Sequence, residues 1–208
     1  MTTTPLLNAI NLHLWRGDRH VLRGVSFALG AGEALHVAGP NGVGKTSLLR
    51  VVCGLLSAEE GEVSWNGVPT RDANLAYLAA LAYLAHDTAL KGDLTASENL
   101  YFSVGLKRSI TATQIAAILT ELGVADCADL PCRVLSAGQR RRVALCRVLL
   151  SEARLWVLDE PFTNLDASST AHVVETLAQH LAQGGLALIA AHQGLTLRAG
   201  KVKRLELS

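Results

Sequence analysis

The stretch GPNGVGKTS, Gly39 to Ser47, constrains what this chain can be more than any other segment. It fits G-x-x-x-x-G-K-[ST] through Gly39, Gly44, Lys45 and Thr46, follows the apolar run ALHVAG, and opens the amphipathic segment TSLLRVVCGLL. Glycines let successive backbone N–H groups turn inward around phosphate oxygens, and a helix starting there adds the positive end of its dipole. Lys45 is placed to pair with β- and γ-phosphates, and the Thr46 hydroxyl is placed to ligate Mg²⁺. Pro40, Asn41, Gly42, Val43 and Ser47 complete the cradle. The expected ligand is a nucleoside triphosphate, ATP with Mg²⁺.

A strand feeding such a loop belongs to a parallel sheet, and the sequence has further segments of that texture. ALHVAG, LWVLDE and LALIAAH are short, continuously apolar runs that end on a polar residue or a glycine, as central strands covered on both faces do. The N-terminal part differs. Ile10, Leu12 and Leu14 alternate with polar residues, as do Val25, Phe27 and Leu29, and EVSWNG ends on an Asn-Gly turn signal. These are expected to form a half-buried antiparallel sheet. TASENLYF and TATQIAAILTELG each carry a Thr-x-x-Glu/Gln capping box, and ASSTAHVVETLAQHLAQGG spaces Val173, Val174, Leu177 and Leu181 on one helical face. The longest apolar run, Leu75 to Ala85 (LAYLAALAYLA), is read as one buried core element. No linker divides the chain, so residues 1–208 are expected to form one domain, with a mainly helical subdomain over about 88–150.

Composition removes several classes. Half the residues are hydrophobic and the net charge is only +1, which argues against a globally basic nucleic-acid binder. No apolar run reaches the roughly 18 residues a membrane helix needs. MTTTPLLNAINLHLWRGD lacks the basic-then-apolar order of a secretory signal. Cys53, Cys127, Cys132 and Cys146 are scattered and read as free thiols of a reducing compartment. The expectation is a cytoplasmic protein that docks on something.

Two further segments carry chemistry. RLWVLDEP puts Asp159 and Glu160 at the mouth of a buried strand, where two adjacent acids would repel unless each had a task. Asp159 is expected to hold Mg²⁺ and Glu160 to polarise the attacking water as general base. In LSAGQRRRVALCRVLL, Ser136-x-x-Gln139 is a capping box, so a helix starts at Ser136 and offers a second anion site through its unpaired N–H groups and dipole. Arg140, Arg141 and Arg142 then fall on the start of that helix. They are expected to be solvated or paired with carboxylates rather than to form a nucleic-acid patch.

At this point the chain resembles the ABC-type ATPases over nearly its whole length. LSAGQ is similar to the LSGGQ signature, with alanine replacing one glycine. The resemblance implies an α/β P-loop NTPase fold with a parallel RecA-like core, an N-terminal antiparallel β subdomain and a helical signature subdomain. It implies a homodimer packed head to tail, in which Ser136, Gly138 and Gln139 of one copy face the γ-phosphate held by the other. It also assigns Asp166, in the NLD of Asn164 to Asp166, to the loop aligning the opposite copy, and His192 to the switch that contacts the γ-phosphate beside Lys45 and Glu160. Trp15 is the candidate for stacking on adenine, although Arg16 occupies the matching place. Where the family usually carries glutamine before its helical subdomain, this sequence has His86, whose ring supplies one donor or acceptor rather than an amide's two.

Within the family, YLAHDTALKGDLTASENL and AHQGL resemble the wording of the ATP-binding subunits of haem export and cytochrome c maturation. That likeness implies a peripheral protein on the cytoplasmic face of a bacterial inner membrane, bound to CcmB- and CcmC-like integral membrane subunits. Haem, if involved, would be handled by those partners, because nothing in this chain looks like a haem ligand pair. An ATPase of another small exporter, for lipid or lipoprotein, is the runner-up. A soluble ABC mechanoenzyme would carry a second cassette or basic extensions. A non-catalytic cassette is argued against by intact Lys45, Asp159, Glu160 and His192.

Overall fold

The two textures of apolar sequence sort the strands into two sheets in the computed structural model, which describes residues 6–71, 75–191 and 200–208. The alternating segments form an antiparallel sheet. β1 (Leu7–Arg16) pairs with β2 (Arg19–Leu29) and with β4 (Glu60–Trp65), and the two-residue β5 (Val68–Pro69) closes the order β2-β1-β4-β5. The continuous runs form a parallel sheet. Its order is β6-β7-β8-β3-β9, from β3 (Glu33–Ala38), β6 (Leu81–Leu84), β7 (Leu155–Asp159), β8 (Leu186–Ala190) and β9 (Lys201–Glu206).

Continuous hydrophobicity is explained by what covers each face of that sheet. Leu155 and Val157 of β7, with Leu186 and Leu188 of β8, join a core shared with the antiparallel sheet and helix α1 (Lys45–Val52). The alternate residues Trp156, Leu158, Ala187 and Ile189 join a second core. That core is filled by helices α3 (Ala96–Gly105), α4 (Ala112–Glu121), α5 (Ala137–Leu150) and α6 (Ala167–Ala182). Every position of these strands is therefore buried, and none is free to be polar until the strand ends. Both Thr-initiated helices form their capping boxes: Thr95 with Glu98 on α3 and Thr111 with Gln114 on α4. All four cysteines are free and buried, and no group of three metal-ligating side chains occurs among the described residues.

Two expectations are corrected here. Leu75 to Ala85 is not one element: Leu75–Ala80 form the short helix α2, while Leu81–Leu84 form strand β6. The same pentapeptide, LAYLA, is helical in its first copy and mainly extended in its second. The second copy pairs along β7, Leu81 to Leu155 through Leu84 to Leu158, and that ladder overrides local propensity. In the first copy only Tyr77 is buried, and Leu75 and Leu78 face outward.

Ile10 is also exposed rather than inward, at 54%. The inward parity of β1 changes from Leu7 and Ala9 to Leu12 and Leu14, because the register slips between Ala9 and Leu12 against β2 and between Ile10 and His13 against β4. At that bulge Asn11 takes φ of 50°. Gly61, at φ 85°, lies under it, and a Cβ there would overlap the carbonyl oxygens of Ile10 and Asn11. Substituting Gly61→Ala is expected to destabilise the chain by about 1–3 kcal/mol, since backbone strain and backbone overlap add there. Chemical denaturation would read this as a lower midpoint with an unchanged slope.

Candidate functional site

The carboxyl ends of the parallel strands β6, β7, β8 and β3 lie along one edge of their sheet, and the loops leaving β3, β6 and β7 hold the polar residues that the apolar runs end on. Ligand crevices of open α/β sheets form in this place. Gly39, Gly42 and Gly44 all have positive φ, so the loop after β3 curls back on itself. Lys45 opens α1, a helix with no side-chain N-cap and no acid in its first turn, which leaves its N-terminal N–H groups for an anion. Lys45 as a residue is only 7% exposed, and its ammonium donates to the carbonyls of Gly39 at 2.7 Å and Pro40 at 3.2 Å.

Facing that loop is a cavity of about 460 Å³ lined by Asn41, Gly42, Gly44, Lys45, Thr46, Ser47, His86, Asp159 and Glu160, with Arg16, Arg19 and Val21 on the strand side. Asp159 is 1% exposed, and its Oδ2 finds no hydrogen-bond partner among the described residues. Its charge helps push the Cys53 and Tyr83 groups up from their ordinary ranges, although burial is the larger cause for both. An unpartnered buried carboxylate oxygen and a threonine hydroxyl on one cavity wall are the hard oxygen donors a Mg²⁺ ion takes. The residues present therefore fit that ion. Glu160 follows in left-handed backbone, φ 52°, with its N–H donating to the Ala190 carbonyl at 2.8 Å.

The signature segment is built as a helix tip. Ser136 caps α5: the Gln139 N–H donates to Ser136 Oγ at 3.2 Å, and the Ser136 N–H donates to Gln139 Oε1 at 2.8 Å. Gly138 is required by a close approach. A Cβ there would stand 2.7 Å from the Asn164 carbonyl oxygen, in the loop between β7 and α6. Asn164 itself has φ of 63°. Two residues on, Asp166 caps α6 by accepting from the Ser169 N–H at 2.7 Å, and that bond holds its carboxyl below the usual range.

The structure thus brings Gly42, Gly44, Lys45, Thr46, Ser47, His86, Asp159 and Glu160 together around one cavity. Ser136, Gly138, Gln139 and Asp166 do not line it. A smaller cavity of about 290 Å³ separates the two regions, lined by His86, Asp87, Thr88, Ala137, Arg140, Arg141, Glu160, Thr163 and Asn164. Trp15 lies outside both cavities' linings and stacks on the His20 ring, 4.0 Å between centroids and 7° from parallel. His192 lies outside the described residues.

The arginine run departs from expectation. Arg141 is buried rather than solvated, and among the described residues it forms no ion pair with a carboxylate side chain: its guanidinium donates to backbone carbonyls of Ala85, His86, Asp159 and Glu160. Arg140 donates to the Leu135 carbonyl and Arg142 to that of Gly123. Arg19 also went unread in the sequence, yet it donates to the Gly42 carbonyl at 2.7 Å. The only sequence signal for it is a basic hairpin, WRGDR, in a sheet otherwise alternating apolar and polar.

Comparison with known proteins agrees with this fold. A family model described as ABC transporter matches residues 22–163. The cytochrome c biogenesis ATP-binding export protein CcmA of Nitrosomonas europaea is 43% identical to the chain, covering 100% of both. The protein of the same name from Aromatoleum aromaticum is 46% identical over 92% of this chain and 90% of its own. A solved structure of a putative ABC transporter ATP-binding protein from Pyrococcus furiosus superposes with a TM-score of 0.82 at 26% identity, covering 96% of each chain.

Because the helix tip rests on the Asn164 carbonyl, Gly138→Ala is expected to push α5 away from the β7–α6 loop. The phosphate loop is untouched by that change. ATP affinity measured by fluorescence titration should stay within about twofold of the parent, while steady-state ATP turnover falls at least tenfold, roughly 1.4 kcal/mol in the barrier.

Proposed function

The chain belongs to the ABC transporter family, and we propose that it is the ATP-hydrolysing subunit of a membrane complex serving cytochrome c biogenesis by haem export. The observation carrying the proposal is the cavity in which the phosphate loop, Thr46, His86, Asp159 and Glu160 converge. ATP enters with its β- and γ-phosphates against the loop N–H groups and the N-terminus of α1. Lys45 exchanges its two carbonyl contacts for phosphate oxygens. Thr46 and Asp159 would hold Mg²⁺, which supplies charge neutralisation on the phosphates when bound. Glu160 accepts the proton of the water that attacks the γ-phosphate, and His86, at the end of β6, orients that water or the phosphate through one ring nitrogen.

The anion site at the tip of α5 stands outside its own chain's phosphate cavity, which supports completion by a second copy. Ser136, Gly138 and Gln139 of one copy then contact the γ-phosphate bound by the other, with Asp166 near the same seam. His192 is proposed as the switch contacting the γ-phosphate. Trp15 is a weaker candidate for the adenine, since its ring is already stacked on His20.

The relatives' shared name supports the placement in cytochrome c biogenesis. No helix among the described residues is long and apolar enough to cross a membrane. The chain is therefore proposed to sit peripherally on the cytoplasmic face, carried by hydrophobic membrane subunits that handle the haem. Affinity capture from detergent-solubilised membranes should bring down such subunits with a haem absorption band. Capture of other membrane subunits without haem would redirect the reading to another exporter, and capture of ribosomes or DNA would overturn it.

Two variants test the assigned chemistry. Lys45→Ala should weaken ATP binding at least tenfold, because a buried cation facing the phosphates is lost. Glu160→Gln should bind ATP normally and lose about 10²–10⁴ in turnover, the usual worth of a general base. Light scattering should find it as an ATP-bound dimer. A Glu160→Gln protein hydrolysing at the parent rate would refute the base assignment.

A further inference from the structure

Arg141 is the one cation of the signature helix drawn fully into the protein, at 3% exposure among the described residues. Its two terminal nitrogens divide the work. Nη1 donates to the Ala85 carbonyl at 2.7 Å and to the His86 carbonyl at 3.3 Å, at the carboxyl end of β6. Nη2 donates to the carbonyl of Asp159 and, at 2.7 Å, to that of Glu160, at the carboxyl end of β7. Among the described residues, no other side chain on α5 hydrogen-bonds to both strand ends.

Glu160 needs such a fixture. Its φ of 52° is left-handed backbone for a residue with a side chain, a conformation that persists only where the surroundings over-determine it. Its N–H is held by the Ala190 carbonyl and its own carbonyl by Arg141. Burial lowers the guanidinium's pKa, and the nearby Asp159 and Glu160 charges oppose that shift. The cation is therefore seated where removing its carbonyl acceptors would leave it unsupported.

We propose that Arg141 is a positioning residue that locks Glu160 and the His86 loop to the signature helix, setting the base-to-phosphate geometry without touching the nucleotide. The inference rests on Glu160 being the base. A movement of the tip of α5, such as docking of a second copy, would reach Glu160 through this fork within the same chain. A lysine presents its donors from a single point rather than from the two separated terminal nitrogens of a planar fork, so Arg141→Lys keeps the charge and loses the geometry that spans both strand ends.

The test compares Arg141→Lys, Arg141→Gln and Glu160→Gln in the full chain. For Arg141→Lys the expected result is a fall in kcat of at least tenfold, with KM and ATP affinity within about twofold of the parent. Arg141→Gln should fall further. Amide exchange in Arg141→Lys should speed up over residues 84–88 and 159–164 while residues 39–47 keep parent protection, a readout that needs no turnover. Unchanged kcat with unchanged exchange would overturn the proposal. So would parallel loss of affinity with faster exchange throughout the chain, which marks a general packing role. If Glu160→Gln keeps parent turnover, the base assignment fails instead, and the exchange pattern still reports whether Arg141 holds these two loops.

Discussion

Burying a carboxylate is costly unless a cation or donors share its pocket, and Asp159 is buried at the end of a central strand with Oδ2 unpartnered among the described residues. Much of the site is arranged around that negative charge. Lys45 sits across the cavity, α1 presents its positive end, and the proposed Mg²⁺ would find its oxygen ligand there. Burial and the same charge push the neighbouring Tyr83 hydroxyl and Cys53 thiol up, so both stay protonated and neutral. Asp159 can be this deep because β7 is covered on both faces, with Leu155 and Val157 toward one core and Trp156 and Leu158 toward the other.

The parts of this arrangement that a sequence displays are those set by neighbours in sequence. Glycine spacing before Lys45, two acids at a strand mouth and a serine three residues before a glutamine are each complete within a few residues. Their local structures follow from backbone chemistry alone. The capping boxes at Thr95, Thr111 and Ser136 form as the pattern predicts for the same reason. The switch of texture from alternating to continuous apolar runs reports which sheet a strand joins, because burial on one face or two leaves different marks.

What escaped depended on partners far along the chain. LAYLA cannot declare whether it is α2 or β6; the ladder to β7, residues 155–158, decides it. Ile10 looked inward because alternation is counted without bulges, and the slip at Asn11 is permitted by a glycine at position 61 on another strand. The arginine run shows the same limit. Three adjacent arginines differ little in sequence, yet helical geometry sends Arg141 inward to two strand ends while Arg140 and Arg142 reach carbonyls nearer the surface.

That inward arginine also bears on how two remote features of the site can act as one. The tip of α5 carries a dipole end and a capped serine, but it does not line the cavity where its own chain would hold phosphate. Gly138 is pressed against the Asn164 carbonyl, and Arg141 is bonded to the Glu160 carbonyl, so the helix grips the β7–α6 loop at both ends. Close-packed contacts of this kind move together rather than deform independently. A second copy seating its phosphate against Ser136 would therefore load the same helix that fixes Glu160. Each active site would then sense occupancy of the other through one rigid helix, with no need for a mobile relay between them.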